Sequence, residues 1–422
     1  LTSNLWQATC REAVRARPLA QRKTVDLVVI GGGYTGTAAA LEAARSGAQA
    51  CLIEAAEIGH GGSGRNVGLV NAGLWLPPEV ILKTLGSSEG ERLLSHLDAA
   101  PERVFTLIER YAIDCEPVRH GTLHCAHSPA GLRDLRNRLR QQQARGAPVT
   151  LLDAAETVRR TGSPRFHGAL HDARAGTVQP LALCRGLARA AAEHGAHLHA
   201  NTPVRRLRRT GDSWVVETDG GEILAGSLLL ATNAYHRLAA GAQAPQTVPL
   251  HYFQAATAPL GDRERARLLP GNEGCWDTAL VMSSFRIDLA GRLIIGGIGN
   301  LEGPGAKVHT RWAERKLGQL FPWLGHRGLE QSWCGRIAMT GDHIPKIVEL
   351  GARGYSCFGY SGRGIGPGIS FGTLAARALL RDDPGLLPVA PVTAHHESFV
   401  AVRQGYYETG SILTHAVAAR CR

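Results

Sequence analysis

Val25-Asp-Leu-Val-Val-Ile30 is apolar at five of its six positions and breaks at once into Gly31-Gly-Gly33-Tyr-Thr-Gly36. That pattern predicts a buried strand turning straight into a helix. The helical pattern continues through Ala38, Ala39, Ala40, Leu41 and Ala44 to a stop at Gly47, and a second apolar strand, Ala50-Cys-Leu-Ile53, ends in Glu54. Beyond the glycine-dense stretch from Gly59 to Gly68 the period lengthens. Leu93, Leu94 and Leu97, then Val104, Leu107 and Ile108, recur at three- to four-residue spacing and predict helices, followed by a short strand around Gly121-Thr-Leu-His-Cys125. A further helix is expected from Leu181 to Glu193. Trp214-Val-Val-Glu-Thr218, Ile223-Leu224 and Ser227-Leu-Leu-Leu230 read as short strands returning to a sheet, the last running on to Ala231-Thr-Asn-Ala-Tyr235. Thr247 to Thr257, Ala279 to Met282 and Leu293 to Gly297 are strand-like and able to build an antiparallel sheet. After Gly359-Tyr-Ser-Gly-Arg-Gly-Ile-Gly366, a last helical run extends from Ser370 to Leu380.

Strand, glycine turn, helix, strand and terminal acid in this order form a pyrophosphate cradle. Gly31 permits a tight turn, Gly33 removes a side chain that would block a phosphate, and Gly36 lets the helix approach its strand. Tyr34 and Thr35 open that helix, so its free N–H groups and positive dipole end face the ligand. Glu54 stands 18 residues beyond Gly36, placed to accept hydrogen bonds from a ribose diol. An NAD dehydrogenase has no use for the next loop. With Ser63, Gly64, Arg65 and Asn66 among its glycines, it suits backbone wrapped around a bulky ligand with a polar edge.

The chain has 422 residues, 44% hydrophobic and 20% charged, enough for two domains and a large core. Its net charge of +11 could suggest nucleic acid, but aromatic residues make up only 5% and none interleaves the arginine clusters at 133–140 and 205–209. Arg133 to Arg145 reads instead as a solvated helix face. Nine cysteines, an odd number with no Cys-x-x-Cys pair, argue against a disulfide framework and a zinc site, and for a reducing cytoplasm. No metal-ligand spacing and no Ser/His/Asp set stands out. No stretch has the length of a membrane span or the apolar core of a signal peptide, so a cytoplasmic location is expected.

On the Gly31 to Gly36 turn, Gly62-Ser-Gly-Arg-Asn66, Ala231-Thr-Asn-Ala-Tyr235, Thr340-Gly-Asp342 and Gly359-Tyr-Ser-Gly-Arg-Gly364, the chain resembles the D-amino acid oxidase family of FAD-dependent oxidoreductases. The resemblance spans most of the chain and lies in the branch holding γ-glutamylputrescine oxidase and the sarcosine and glycine oxidases. It implies an α/β fold in which a Rossmann-type FAD-binding domain is interleaved with an α+β substrate domain on an antiparallel sheet. The expected division is an N-terminal extension (1–24), FAD-binding segments (25–77, 161–245 and 333–422, the last with C-terminal helices) and substrate segments (78–160 and 246–332).

The resemblance further implies that Gly31, Gly33, Tyr34, Thr35 and Gly36 hold the pyrophosphate, Glu54 and Ala55 the adenosine ribose, and the backbone of Val204 the adenine. Ser63, Gly64, Arg65, Asn66, Val67, Gly68 and Leu69 would follow the ribityl chain and flavin. Ala231, Thr232, Asn233, Gly335 and Gly359 would line the cofactor, with Tyr360, Gly362, Arg363, Gly364 and Ile365 under the pyrimidine end. Val67 stands where the putrescine branch usually has glycine. Gly335 stands where covalent members carry the flavin-linked cysteine, so noncovalent FAD is expected. His251, Tyr252, Phe285, Arg286 and Tyr360 are the substrate-side candidates, Arg286 as a bidentate partner for a carboxylate. The implied reaction is hydride transfer from the C–N carbon of a small amine or amino acid to flavin, giving an imine that hydrolyses. Sarcosine-type oxidases place an oxygen-activating lysine on a strand that reads Arg292-Leu-Ile-Ile-Gly296 here. A D-amino acid or cyclic imino acid dehydrogenase using an acceptor other than oxygen is therefore the alternative reading, and a non-catalytic nucleotide-binding protein a remote one.

Overall fold

The computed structural model describes residues 4–237, 239–241 and 245–418. Cys421 lies outside them. Two eight-stranded sheets organise the chain.

The first has the order Lys346–Gly351, Gly354–Phe358, Gly221–Leu230, Lys23–Ile30, Ala50–Ile53, His197–His199. Four of the five pairings in this order are parallel, all but that of Lys346–Gly351 with Gly354–Phe358, and Val28 lies opposite both Leu228 and Cys51. An antiparallel hairpin, Val204–Thr210 with Ser213–Thr218, extends it from Gly221–Leu230. The expected short strands at 223–224 and 227–230 are thus one continuous strand. It stops at Leu230, where Asn233–Tyr235 forms a 3₁₀ turn with Asn233 at φ +44°.

Helix Tyr34–Arg45 packs between helices Pro180–Glu193 and Ile365–Arg381 over this sheet. Five of its eleven buried residues are alanine and one is glycine, so the helices approach closely. The spacing is set by glycine: a Cβ on Gly372 would stand 2.0 Å from the Thr35 carbonyl oxygen.

The second sheet has the order Leu329–Met339, Val248–Pro259, Arg292–Ile298, Ser283–Ile287, Gly274–Asp277, Thr122–Cys125, Ala169–Asp172, Val149–Leu152. It is antiparallel apart from the pairing of Gly274–Asp277 with Thr122–Cys125. Its core face packs Phe253, Phe285, Ile295, Trp312 and Phe321.

Three expectations shift. Ala279–Met282 is a loop rather than a strand, closed by Asp277, whose Oδ1 accepts the Ala279 and Ser283 amides, each at 3.1 Å. Trp333 does not mark the return to the first sheet. Strand Leu329–Met339 pairs along its length with Val248–Pro259, and the chain re-enters the first sheet only at Lys346. Likewise Ala169–Asp172, expected among the cofactor segments, belongs to the second sheet. In both places a strand followed its hydrogen-bonding partner, information that no local pattern carries. Among the described residues no helix is long and apolar enough to cross a membrane.

Candidate functional site

A cavity of about 970 Å³ lies between the sheets, lined by residues from every expected cofactor segment. It stands at the upper end of the range for ligand pockets, about 300–1,000 Å³.

At one end is the glycine turn. Gly31 takes φ +113°, and a Cβ there would meet the Ala231 carbonyl oxygen at 2.8 Å. The Tyr34 amide, first in its helix, donates to Ser63 Oγ at 3.0 Å. Glu54 Oε2 accepts from the Gly32 amide at 2.7 Å and Oε1 from Ala56 at 3.0 Å, which fixes the carboxylate at the strand end. Ala55 and Val204 border the same region.

The loop after Gly59 is held by its own side chains. Asn66 Nδ2 donates to the carbonyls of Gly62 (2.9 Å) and Ser63 (3.0 Å), while Asn66 Oδ1 accepts from Gly68 N at 2.8 Å. Arg65 donates to the His60 carbonyl at 2.9 Å and, across the cavity floor, to that of Cys334 at 3.3 Å. The N-terminal segment locks the loop from behind: Asn4 Nδ2 donates to Gly64 O (2.9 Å) and Trp6 Nε1 to Asn66 O (2.8 Å). Trp6 is fully buried and meets Trp333 edge to face. No motif announced Asn4 or Trp6; a lone tryptophan in an extension has no spacing to read.

The third wall is the Gly359 to Ile365 segment. Asn233 Oδ1 accepts the Gly359 amide at 3.0 Å, and the Tyr360 hydroxyl pairs with Thr35 Oγ1 at 2.8 Å. That contact ties two helix N-termini together, at Tyr34 and at Ile365. Gly362, at φ +90°, admits Trp75, whose Nε1 would lie 2.8 Å from a Cβ there.

The second sheet closes the cavity with Leu250, Tyr252, Gln254, Ser284, Trp276 and His124. Tyr252 donates to Ser284 Oγ at 3.0 Å. Gln254 is fully buried, and both its amide atoms lack a partner. Burial lowers the pKa of His251 and drives that of His124 far down, while it raises those of Tyr34, Tyr252 and Tyr360. These groups are therefore neutral at pH 7.

Most expected residues border this cavity: Gly31, Gly33, Tyr34, Thr35, Glu54, Ala55, Ser63, Arg65, Asn66, Val67, Leu69, Val204, Ala231, Thr232, Asn233, His251, Tyr252, Gly335, Tyr360, Gly362, Arg363, Gly364 and Ile365. Gly36, Gly64, Gly68 and Gly359 shape it from behind instead. A Cβ on them would collide with Gly31 O at 1.8 Å, Gly59 O at 2.3 Å, Val178 O at 2.2 Å and Thr340 Cγ2 at 2.5 Å.

Two substrate-side expectations fail. Phe285 is fully buried on the far face of its strand, between Phe166 and Phe321. Arg286 is 1% exposed, and its Nη1 donates to the carbonyls of Val178 (2.6 Å), Val67 (3.3 Å) and Gly68 (3.4 Å). It braces the loop from outside the cavity and is committed to backbone oxygens. Arg138 departs in the other direction. Expected on a solvated helix face, it is half-buried at the cavity, donating to Trp75 O at 2.9 Å and pairing with Asp134 at 2.8 Å. Trp75, Trp276, His124 and Gln254 were not expected at all: strand pairing distant in sequence gathers the last three, and Trp75 arrives on the loop before helix Pro78–Leu85.

The residues present fit FAD. A glycine cradle opens on a helix end, an acid stands at the second strand, and a long cavity carries polar atoms without partners, such as Gln254 and the Nε of Arg363.

A family model described as FAD dependent oxidoreductase (DAO) matches residues 26–378. The probable oxidoreductase OrdL of Rhizobium meliloti is 32% identical over 81% of this chain and 80% of its own length. Gamma-glutamylputrescine oxidoreductase of Escherichia coli is 30% identical over 90% and 89%. Among solved structures, glycine oxidase from Geobacillus kaustophilus superposes with a TM-score of 0.69 at 21% identity, covering 85% of this chain and 95% of that one. L-proline dehydrogenase from P. horikoshii gives 0.71 at 21%, covering 87% and 97%.

Proposed function

The chain belongs to the DAO family of FAD-dependent oxidoreductases, and from that premise we propose that it oxidises the C–N bond of a small amine or amino acid with noncovalently bound FAD. The observation that carries this reading is one cavity bordered both by the glycine cradle and by the polar face of the second sheet. In it Gly31, Gly33, Tyr34 and Thr35 would hold the pyrophosphate, Glu54 the ribose, and the 63–69 loop with Tyr360 to Ile365 the flavin. Bound there, FAD supplies the two-electron acceptor for the carbon beside the substrate nitrogen.

The protein's own part is orientation and proton control. Tyr252 and Gln254 offer neutral hydrogen-bonding groups to a ligand between the sheets. The substrate nitrogen must be unprotonated to release its electron pair. His251, half-buried at the border, is neutral through burial, but it neighbours Tyr252 on the strand and its ring lies toward Glu408 on the opposite face. Noncovalent attachment is supported by Cys334, which burial keeps as a thiol.

Anaerobic absorbance titration of the purified flavoprotein with amines, D-amino acids and cyclic imino acids tests this reading. Bleaching of the flavin band by an amine supports it; a fully flavinylated protein that no amine bleaches refutes it. The dehydrogenase reading is favoured by one observation: among the described residues, no lysine borders the cavity. Peroxide formed per substrate oxidised, compared with dye reduced, separates the two.

A further inference from the structure

The last helix of the fold, Val400–Val417, lies beyond the residues that the family model matches. Its inner face is anchored. Ser411 and His415 are buried, and Arg315 donates to the His415 carbonyl at 2.6 Å. The helix packs on helix Ala306–Leu320 and on strand Val248–Pro259, the strand that carries Tyr252 and Gln254. Its charges turn the same way: Arg403 donates to Glu397 at 2.6 Å, Glu397 also accepts the Gly341 amide at 2.6 Å, and Glu408 faces His251 and His309.

The outer face is left without charge. From Ala390 to Val417 no exposed position carries Asp, Glu, Lys or Arg, on a chain that is 20% charged and bears a net +11. Phe399, Val402, Tyr406, Leu413 and Val417 are 63–78% exposed. Starting at the N-cap residue, Phe399, Val402, Tyr406, Thr409, Leu413 and Ala416 follow at spacings of three, four, three, four and three. That alternation is a coiled-coil seam, a surface shaped for another helix. The five large side chains leave open on the order of 700 Å². This exceeds the largest apolar patch of a typical monomer, about 300–600 Å², and comes close to the roughly 800 Å² that each partner gives to a stable interface.

The spacing also selects the partner. Positions 399 and 416, 402 and 413, and 406 and 409 lie symmetrically about one point near the middle of the helix. A second copy laid antiparallel about a two-fold axis there sets Phe399 against Ala416, Val402 against Leu413 and Tyr406 against Thr409, so every layer joins a larger side chain to a smaller or similar one. A parallel pair would stack Phe399 and Tyr406 on themselves and leave voids at Thr409 and Ala416. Gly405 and Gly410, where an added Cβ meets nothing within 4 Å, leave room beside Tyr406. Charged flanks that would choose a different helix are missing, and only an uncharged face lets two chains of +11 meet without opposing like charges. A helix seated on a membrane surface keeps Lys and Arg beside its apolar face; here the one such residue, Arg403, is committed to Glu397. We propose that Val400–Val417 is a dimerisation helix, pairing antiparallel with the same helix of a second copy and buttressing from outside the strand that brings Tyr252 and Gln254 to the cavity.

Sedimentation velocity on the flavin-loaded protein, from about 1 to about 50 µM, tests this. The wild type is expected to sediment as a dimer. Leu413→Glu, on the exposed face, weakens the dimer by at least about thirty-fold, the loss of one central interface side chain, and Val402→Lys does the same. The Val402→Lys/Leu413→Glu double variant sets ammonium against carboxylate twice about the axis and regains at least about ten-fold of the lost affinity. Flavin content stays at the wild-type level throughout. A wild type that is monomeric at the highest concentration overturns the proposal, as does a dimer that both single changes leave intact. A double variant as weak as either single one overturns the antiparallel register. If Leu413→Glu does not fold, Val402→Lys decides alone. A monomeric wild type that co-sediments with vesicles of anionic phospholipid overturns the proposal by giving the face to a membrane surface.

Discussion

Replacing Gly36 by alanine tests whether the cradle depends on backbone contact. The added Cβ would lie 1.8 Å from the Gly31 carbonyl oxygen, 3.1 Å from its carbon and 3.2 Å from Val29 Cγ1. An ordinary contact needs about 3.5 Å, so the helix start must move by roughly 1.7 Å. The clashing atom is backbone in a turn fixed by the Gly31 amide, which donates to Ile53 O at 2.8 Å, so no side chain can swing aside. Nor can the helix slide: Ala38, Ala39, Ala40 and Ala43 are buried at 0–2% exposure against the sheet and neighbouring helices. The cost is at or above the upper end of overpacking penalties, about 3 kcal/mol. For a chain of 422 residues that corresponds to a fall in Tm of roughly 3 °C. Differential scanning fluorimetry on flavin-stripped protein reads the stability, and absorbance after reconstitution reads FAD retention, which also falls. Gly364→Ala is the control, because a Cβ there meets nothing within 4 Å and φ is −102°. It leaves flavin-free stability unchanged and weakens only FAD binding. A Gly36→Ala protein that melts within a degree of wild type would falsify the close-packing argument.

Arg286→Met strips the Val178, Val67 and Gly68 carbonyls of their buried donor, and is expected to cost about 2–4 kcal/mol with KM unchanged in the protein that remains folded; an unchanged Tm with a raised KM would return Arg286 to the substrate. His309 and His415 face each other in the core, Nδ1 to Nδ1 at 2.8 Å, with Trp312 stacked on His415 and Arg315, Lys316 and Glu408 nearby. Burial above all, joined at His415 by the charge of His309, pushes their pKa values down to about 4 and about 3. These lie below the unfolded value near 6.5, so the unfolded chain binds more protons in between. Their contribution is complete above about pH 6.5 and is lost as pH falls toward 4 and 3. A His309→Leu/His415→Phe double variant should therefore show a smaller drop in urea midpoint between pH 7 and pH 5, and an equal drop would refute the assignment.

The cradle, the order of strands and helices around it, and most of the residues bordering the cavity were legible in the pattern of the chain. Gly31, Gly36 and Gly362 were legible because their requirement is local: a positive φ or a missing Cβ is a property of the backbone at that residue. Glu54 was legible because the end of a short apolar strand fixes where its last side chain emerges. Side-chain destinations on the second sheet were decided elsewhere. Tyr252 faces the cavity and Phe285 the core only because register and pleat place them so, and a single-residue slip would exchange the faces. Arg286 and Arg363 are chemically identical in the sequence. One is enclosed by carbonyls from Val67, Gly68 and Val178, the other by indoles from positions 75 and 276. Tertiary structure alone separates the brace from the arginine that borders the cavity, because an arginine's surroundings are set by the partners that desolvate it, and those partners arrive from distant parts of the chain.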